Sequence, residues 1–193
     1  RERETYLSGY IQIGQKVLTE CFFCSYLCHT ATKVVIFPYR NHFYYQKLIP
    51  LHIQNILPMR KIEVCSTSLD DAREAEAGGA IRIELCSAIT CGGVTPSHGL
   101  IKSIIDDNLN LDINVLIRAR EGGFYYSESE IETMCRDIEF CREAGVHGVV
   151  IGALTEQGDI DVEACKRMMD AAGDMSVTFH RAFDICRDPF TAL

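Results

Sequence analysis

The feature that most constrains the fold is a four-residue pattern that occurs twice, at residues 62–65 (IEVC) and 83–86 (IELC). In both copies apolar residues alternate with a glutamate and a cysteine, as expected of a β-strand whose two faces lie in different surroundings. Glu63 and Cys65 therefore share one face of the first strand, and Glu84 and Cys86 share the equivalent face of the second. Because a buried carboxylate is costly unless it is paired or functional, this polar face is the first candidate for a site.

From residue 59 onward, strand-like and helix-like segments alternate. We predict strands at residues 61–66, 81–87, 113–118, 148–152 and 176–180. The helices between them are predicted from their capping residues, which are Ser68, Thr95 before Pro96, Ser127 with Glu130, Asp161, and Asp188 before Pro189. Short connections between such units predict a parallel sheet with right-handed crossovers.

The polar residues of the strands decide between an open sheet and a barrel. An open sheet covered by helices on both sides needs strands that are apolar on both faces. Here one face is predicted to carry polar or thiol side chains, namely Glu63, Cys65, Arg82, Glu84, Cys86, Asn114, Arg118, Thr178 and His180. Such a face belongs inside a barrel. We therefore predict an α/β fold of the (β/α)8 TIM-barrel type, incomplete, with about the first five β/α units.

Charge divides the chain near residue 58. Residues 1–58 carry six Lys/Arg and three Asp/Glu, whereas residues 59–193 carry thirteen and twenty-four. We predict an N-terminal extension at 1–58 that is not part of the barrel, followed by a truncated barrel at 59–193. The acidic second part lacks the clustered basic surface that nucleic acids require, so no nucleic-acid partner is expected.

Two further observations bear on location. The most apolar N-terminal run, residues 17–28, is interrupted by polar residues and is too short to cross a bilayer core of about 30 Å, so no membrane partner is expected. The ten cysteines lack the dense, loop-rich framework of a small disulfide-bonded domain. We expect reduced thiols in a cytoplasmic protein, with the nucleus as a further compartment.

Cys65 and Cys86 lie near the C-terminal ends of their strands, where barrels carry their sites. Two thiolates with few hard ligands nearby would suit Cu(I) better than Mg²⁺ or Ca²⁺. Alternatively, both cysteines are small side chains that fill the core, and spacing alone favours this alternative. The segment at residues 21–29 (CFFCSYLCH) lacks a second pair at zinc-finger spacing and is not taken as a metal site.

Four polar residues form the candidate catalytic set, namely Glu63, Glu84, Arg118 and His180. The two glutamates, with Arg82, are either general acid and base groups or a buried ion-paired belt without chemistry. Arg118 and Arg120 would hold a carboxylate or phosphate group, or else neutralise the glutamates. These residues support a second hypothesis, a TIM-barrel enzyme acting on a small anionic substrate.

Five segments resemble the CutC copper homeostasis family. They are residues 63–65 (EVC), 82–87 (RIELCS), 92–100 (GGVTPSHGL), 152–161 (GALTEQGDID) and 177–184 (VTFHRAFD). The resemblance covers about residues 60–193 and implies a TIM-type barrel, a mostly cytoplasmic location and an association with copper tolerance and Cu(I) binding, with no enzymatic reaction firmly attached. It also implies that Cys65 and Cys86 are the copper ligands. Where the family usually reads Arg-Pro-Arg-Gly-Gly-Asp-Phe, residues 118–124 read RAREGGF, so a proline is lost and the acid is shifted.

The sequence thus predicts a copper homeostasis protein that binds Cu(I), with an enzyme or an inactive fragment as the alternatives. Five strands would leave the first and last strand with unpaired edges. Residues 59–193 alone are accordingly expected to be insoluble, molten or self-associating. Further copies of the same chain, in a homo-oligomer, are among the expected partners.

Overall fold

The computed structural model describes residues 61–193 in full and, before them, the backbone of three short strands. These are β1 (Tyr10–Ile13), β2 (Lys16–Glu20) and β3 (Val34–Val35), which pair antiparallel in the order β1-β2-β3. The cysteine-rich segment at residues 21–29 lies outside the described residues. The assignment of residues 1–58 to an extension separate from the barrel stays a prediction.

A sheet of five parallel strands dominates residues 61–193. Its strands are β4 (Glu63–Ser66), β5 (Arg82–Leu85), β6 (Asp112–Leu116), β7 (Gly148–Ile151) and β8 (Ser176–Phe179). The helices are α1 (Leu69–Ala77), α2 (His98–Asp106), α3 (Glu128–Ala144), α4 (Val162–Ala172) and α5 (Pro189–Ala192). The strands lie in the sheet in chain order, so each crossover moves one strand along. This arrangement confirms the predicted α/β fold of repeated β/α units.

Alternation along the strands separates an outer from an inner face. Outward side chains such as Ile83, Leu85 and Val115 are fully buried in the large core beneath the helices. Helices collect on this one face because all the crossovers share one hand. The strand β8, at one edge of the sheet, is more exposed than the others. Within residues 61–193, no helix has the length and apolarity needed to cross a membrane.

Helix starts follow the predicted capping residues in four cases, Ser68, Ser127, Asp161 and Asp188. At α3 the Ser127 hydroxyl accepts a hydrogen bond from the Glu130 N–H at 3.3 Å. The Glu130 carboxylate accepts one in return from the Ser127 N–H at 2.7 Å, which completes a capping box. Local sequence thus sets where these helices begin.

The predicted helix start at Thr95 and Pro96 is wrong. The helix α2 begins at His98, and the Ser97 hydroxyl caps it by accepting from a first-turn N–H at 3.2 Å. The Thr95 hydroxyl instead accepts from the Arg118 N–H at 2.8 Å, and the Thr95 N–H donates to the Arg118 carbonyl at 3.0 Å. The hydroxyl that would have capped the helix therefore ties the loop after β5 to the segment just after β6.

Two glycines allow close approach across the inner face. A Cβ on Gly152, just after β7, would overlap the imidazole ring of His180. A Cβ on Gly148, at the start of β7, would collide with the side chains of Asn114 and Ser176. Both positions fit glycine because neighbouring side chains occupy the space of a Cβ.

Replacing Ser127 with Ala should lower the free energy of unfolding by about 1 kcal/mol, because a first-turn N–H of α3 loses its acceptor. Urea denaturation followed by circular dichroism measures the loss. The matched control is Ser103→Ala in α2, where the hydroxyl donates to the Gly99 carbonyl and alanine is the better helix former. The control should change little, and equal losses in the two variants would contradict the capping role.

Replacing Gly152 with Ala should lower the free energy of unfolding by roughly 1–3 kcal/mol, because the new methyl group must displace the buried ring of His180. The control is Gly123→Ala, since nothing lies within 4 Å of a Cβ there. The control should be neutral or slightly stabilising. Calorimetric unfolding compares the two, and wild-type stability of the Gly152 variant would show that β7 and His180 lie further apart.

Candidate functional site

The inner face of the sheet, turned away from the helices, is organised by the strand register. Glu63 pairs with Arg82 near the N-terminal ends of the strands, and Cys65 pairs with Glu84 two residues further along the strands. The row that contains Cys65 continues across the sheet through Glu84, Asn114, Gly148 and Ser176. Because residues in one row are side-by-side neighbours, these rows determine which candidate residues meet.

At the N-terminal end, Glu63 and Arg82 form an ion pair. Glu63 Oε2 lies 3.4 Å from Arg82 Nε, and the two side chains are 15% and 34% exposed. Partial exposure lets water screen the pair, so its contribution to stability is about 1 kcal/mol or less. Of the two roles proposed for Glu63, an acid–base group and a member of an ion-paired belt, this contact matches the second.

The two candidate copper ligands lie on the inner face in neighbouring strands. Cys65 is 9% exposed and Cys86 is 2% exposed. Cys65 is level with Glu84, which is also buried, whereas Cys86 lies two residues beyond Glu84. The two cysteines are therefore diagonal neighbours, one strand apart (about 4.8 Å) and two residues apart along the strand direction (about 6.6 Å), which separates their Cα atoms by about 8 Å.

Cys86 sits in a small apolar cluster at the middle of the inner face. Its partners are the side chains of Leu116 and Val150, with Ile89 packed against them. The backbone of Gly93 covers the cysteine so closely that a Cβ there would lie 3.6 Å from the Cys86 sulfur. The inner face is thus polar at both ends and apolar between them, a division that the sequence analysis did not predict.

The cysteines of the helices have a different environment. Cys141 and Cys165 pack into the large outer core, on α3 and α4. Burial raises the pKa of the Cys141 thiol to about 12 and also raises the pKa of Cys165. Both thiols pack beneath the helices, on the face of the sheet opposite to Cys65 and Cys86.

Arg118 organises the C-terminal end of the inner face. Its Nη1 donates to the carbonyls of Gly93 at 2.8 Å and Cys91 at 3.2 Å, and its Nη2 donates to the Gly122 carbonyl at 2.6 Å. The guanidinium also lies 4.9 Å from the ring centroid of Phe124, close enough for a cation–π contact. Arg118 is 5% exposed, and it joins the loops that follow β5 and β6.

Arg120, the other arginine predicted to hold an anion, is engaged elsewhere. Its Nε lies 2.5 Å from Glu130 Oε1, and its Nη2 donates to the Tyr125 carbonyl at 2.7 Å. The Ser127 N–H and the Arg120 guanidinium together lower the pKa of Glu130. Arg120 therefore anchors the loop to the start of α3, and its acidic partner is neither Glu63 nor Glu84.

His180 has a defined orientation at the end of β8. Its Nδ1 accepts a hydrogen bond from the Ala182 N–H at 3.2 Å, so the neutral ring carries its proton on Nε2. The ring is 9% exposed and lies 4.8 Å from the ring of Phe124. A neutral His180 is thus arranged to donate through Nε2.

The structure brings some of the predicted residues together and separates others. Arg118 and His180 both contact Phe124 at the C-terminal end of the sheet. Through the strand register Glu63 is level with Asp112, six residues before Arg118. It therefore lies about 20 Å from Arg118 along the strand direction. Among residues 61–193, no group of three or more His, Cys, Asp or Glu side chains is arranged to hold a metal ion.

Sequence reasoning missed Phe124, which links Arg118 to His180. A phenylalanine after two glycines gives no sign of returning to the sheet, because the loop conformation alone determines where it packs. It also missed Leu116 and Val150 on the inner face, although alternation from Asn114 to Arg118 places Leu116 there. The second omission could have been avoided from the sequence.

Comparisons with known proteins agree with this fold. The profile of the CutC family matches residues 60–193. A CutC family protein of Parabacteroides distasonis is 56% identical over 134 residues, covering 69% of this chain and 55% of the relative. One from Pasteurella multocida is 47% identical over 133 residues, covering 69% and 54%. The chain spans about half the length of the curated relatives it matches.

A solved structure is similar over the same region. The crystal structure of CutC from Streptococcus agalactiae, a candidate copper homeostasis protein, superimposes with a TM-score of 0.61 at 33% identity. The match covers 64% of this chain and 60% of that one. Sequence and fold agree over the parallel sheet and its helices, and the chain belongs to the CutC family.

Proposed function

We propose that this protein takes part in copper homeostasis by binding Cu(I), as cargo, through the thiolates of Cys65 and Cys86. The observation that carries the proposal is the position of two buried thiols on neighbouring strands and on the same inner face. Membership of the CutC family gives copper as the metal to test. Because the chain spans about half the length of its relatives, the activity of the longer proteins is part of this proposal.

The chemistry of the pair suits a soft, monovalent ion. Thiolates select Cu(I) over hard cations such as Mg²⁺ and Ca²⁺, which prefer oxygen ligands. Cu(I) accepts two-coordinate binding, so it needs no third cysteine or histidine. The apolar side chains of Leu116 and Val150 beside Cys86 would also exclude competing water. A reducing compartment such as the cytoplasm or nucleus would keep both thiols available.

The diagonal relation of the two cysteines bears on how they would reach one ion. Neighbouring strands lie about 4.8 Å apart, and a diagonal pair of residues lies further apart than that. A bridging ion fits a wider separation than a disulfide, which requires Cβ atoms about 3.5–4.5 Å apart. The geometry therefore favours a metal bridge over an oxidised pair.

The double variant Cys65→Ser/Cys86→Ser should lose tight Cu(I) binding, because a serine hydroxyl is a poor ligand for a soft metal. Competition against a chromophoric Cu(I) chelator under anaerobic, reducing conditions measures the affinity of the full chain. We expect the affinity for Cu(I) to fall at least about a hundredfold, which corresponds to about 2.8 kcal/mol of binding free energy. Circular dichroism confirms that the variant is folded.

Two controls remove other thiols. Cys135→Ser/Cys186→Ser changes two half-buried cysteines that pack against the outer core. A second control replaces Cys21, Cys24 and Cys28 in the N-terminal part. Both controls should bind Cu(I) as the wild type does. Unchanged affinity in the Cys65/Cys86 variant, or a comparable loss in either control, would refute the assignment.

A further inference from the structure

Two arginine side chains converge beside Gly92 at the C-terminal end of the sheet. If Gly92 carried a Cβ, that atom would lie 3.3 Å from Arg118 Nη1 and 3.6 Å from Arg181 Nη1. Arg118 lies two residues after the end of β6, and Arg181 begins the short 3-10 helix (Arg181–Ile185) after β8. Glycine has no side chain, so both guanidinium groups can approach the backbone closely at this point.

Within residues 61–193, neither guanidinium has a carboxylate within 4.0 Å. The hydrogen-bond acceptors of Arg118 are neutral backbone carbonyls. Asp184 lies near enough for the charge of Arg181 to lower its pKa, but burial outweighs this effect and raises it. Neither cation therefore has a directly paired carboxylate within this range, an arrangement that is costly for the buried Arg118.

A donor on Arg118 also lacks an acceptor. Arg118 is 5% exposed, and its buried Nε has no hydrogen-bond partner. Burial raises the pKa of Tyr126, and the neighbouring Arg118 opposes this by its charge and by a hydrogen bond, but among the described residues neither the Nε nor the hydroxyl has a partner at full hydrogen-bond geometry. Buried donors without acceptors are rare in native proteins.

A purely structural role for Arg118 explains part of this arrangement. Through Nη1 and Nη2, Arg118 donates hydrogen bonds to the carbonyls of Cys91, Gly93 and Gly122, and these bonds hold two loops in place. They do not account for the unpartnered Nε, nor for a second guanidinium at the same point. An anion beside Gly92 would account for the second guanidinium, because it would neutralise the pair and accept hydrogen bonds from Arg181.

We propose that the protein binds a small oxyanion, a carboxylate or phosphate group, between Arg118 and Arg181 beside Gly92. Arg118 supplies a fixed positive charge held by the loops, and the exposed Arg181 supplies a cation that can adjust to the ligand. Guanidinium groups match the planar, paired oxygens of both anions. His180 lies at the same end of the sheet, where parallel β/α folds bind their ligands. This site goes beyond the proposed copper function and uses neither Cys65 nor Cys86.

The test titrates copper-free, full-length protein with sodium phosphate and, separately, with sodium acetate, at constant ionic strength set by chloride. Calorimetry or amide chemical shifts report binding. Arg181→Gln should weaken binding about tenfold or more, the effect of losing a charged hydrogen bond. Arg181→Lys keeps the charge but loses the planar fork, so its anion affinity should lie between those of the wild type and Arg181→Gln. It replaces Arg181→Gln as the test variant if that protein is unfolded.

The matched control is Arg187→Gln, which removes an equal charge from the same segment, where Arg187 pairs with Asp159 at 2.7 Å. Its affinity should stay within twofold of wild type. Binding of phosphate, acetate or both, lost in Arg181→Gln and kept in the control, supports the site and identifies its class. No binding of either anion, or equal losses in both variants, overturns it. Retained anion binding in Cys65→Ser/Cys86→Ser separates this result from the fate of the copper proposal.

Discussion

The register of the parallel strands is the constraint on which the rest of the inner face depends. Side chains alternate along each strand, but the register decides which alternating residues become neighbours. The two IEVC-like segments are not aligned residue by residue, since Cys65 pairs with Glu84 and not with Cys86. A stagger of this kind is what a sheet needs in order to curl towards a barrel. The diagonal relation of the thiols follows from this stagger.

The same register divides the inner face into levels with different chemistry. An ion pair between Glu63 and Arg82 lies at one end, and Cys86 with its apolar neighbours lies in the middle. At the other end Arg118 and His180 flank Phe124. The proposed soft-metal site near the middle and the proposed oxyanion site at the C-terminal end are therefore compatible on one sheet, because they use different levels.

Local signals in the sequence predicted most of the elements. The capping box of Ser127 and Glu130 and the caps at Ser68 and Asp161 were recognised because their hydrogen bonds join residues three positions apart. The cap at Thr95 was predicted wrongly because its hydroxyl bonds to Arg118, which local patterns do not reveal. The polar inner face was predicted, but the rows within it were not, since register depends on contacts between distant segments.

The central claim is that two sulfur atoms of this sheet hold copper, and X-ray absorption at the copper edge tests it most directly. The Cu(I)-loaded full chain should show two sulfur neighbours and no shell of nitrogen or oxygen. The Cys65→Ser/Cys86→Ser protein, exposed to the same copper, should lose that sulfur shell. A first shell of nitrogen or oxygen in the wild type, or a sulfur shell that survives in the variant, would contradict the account.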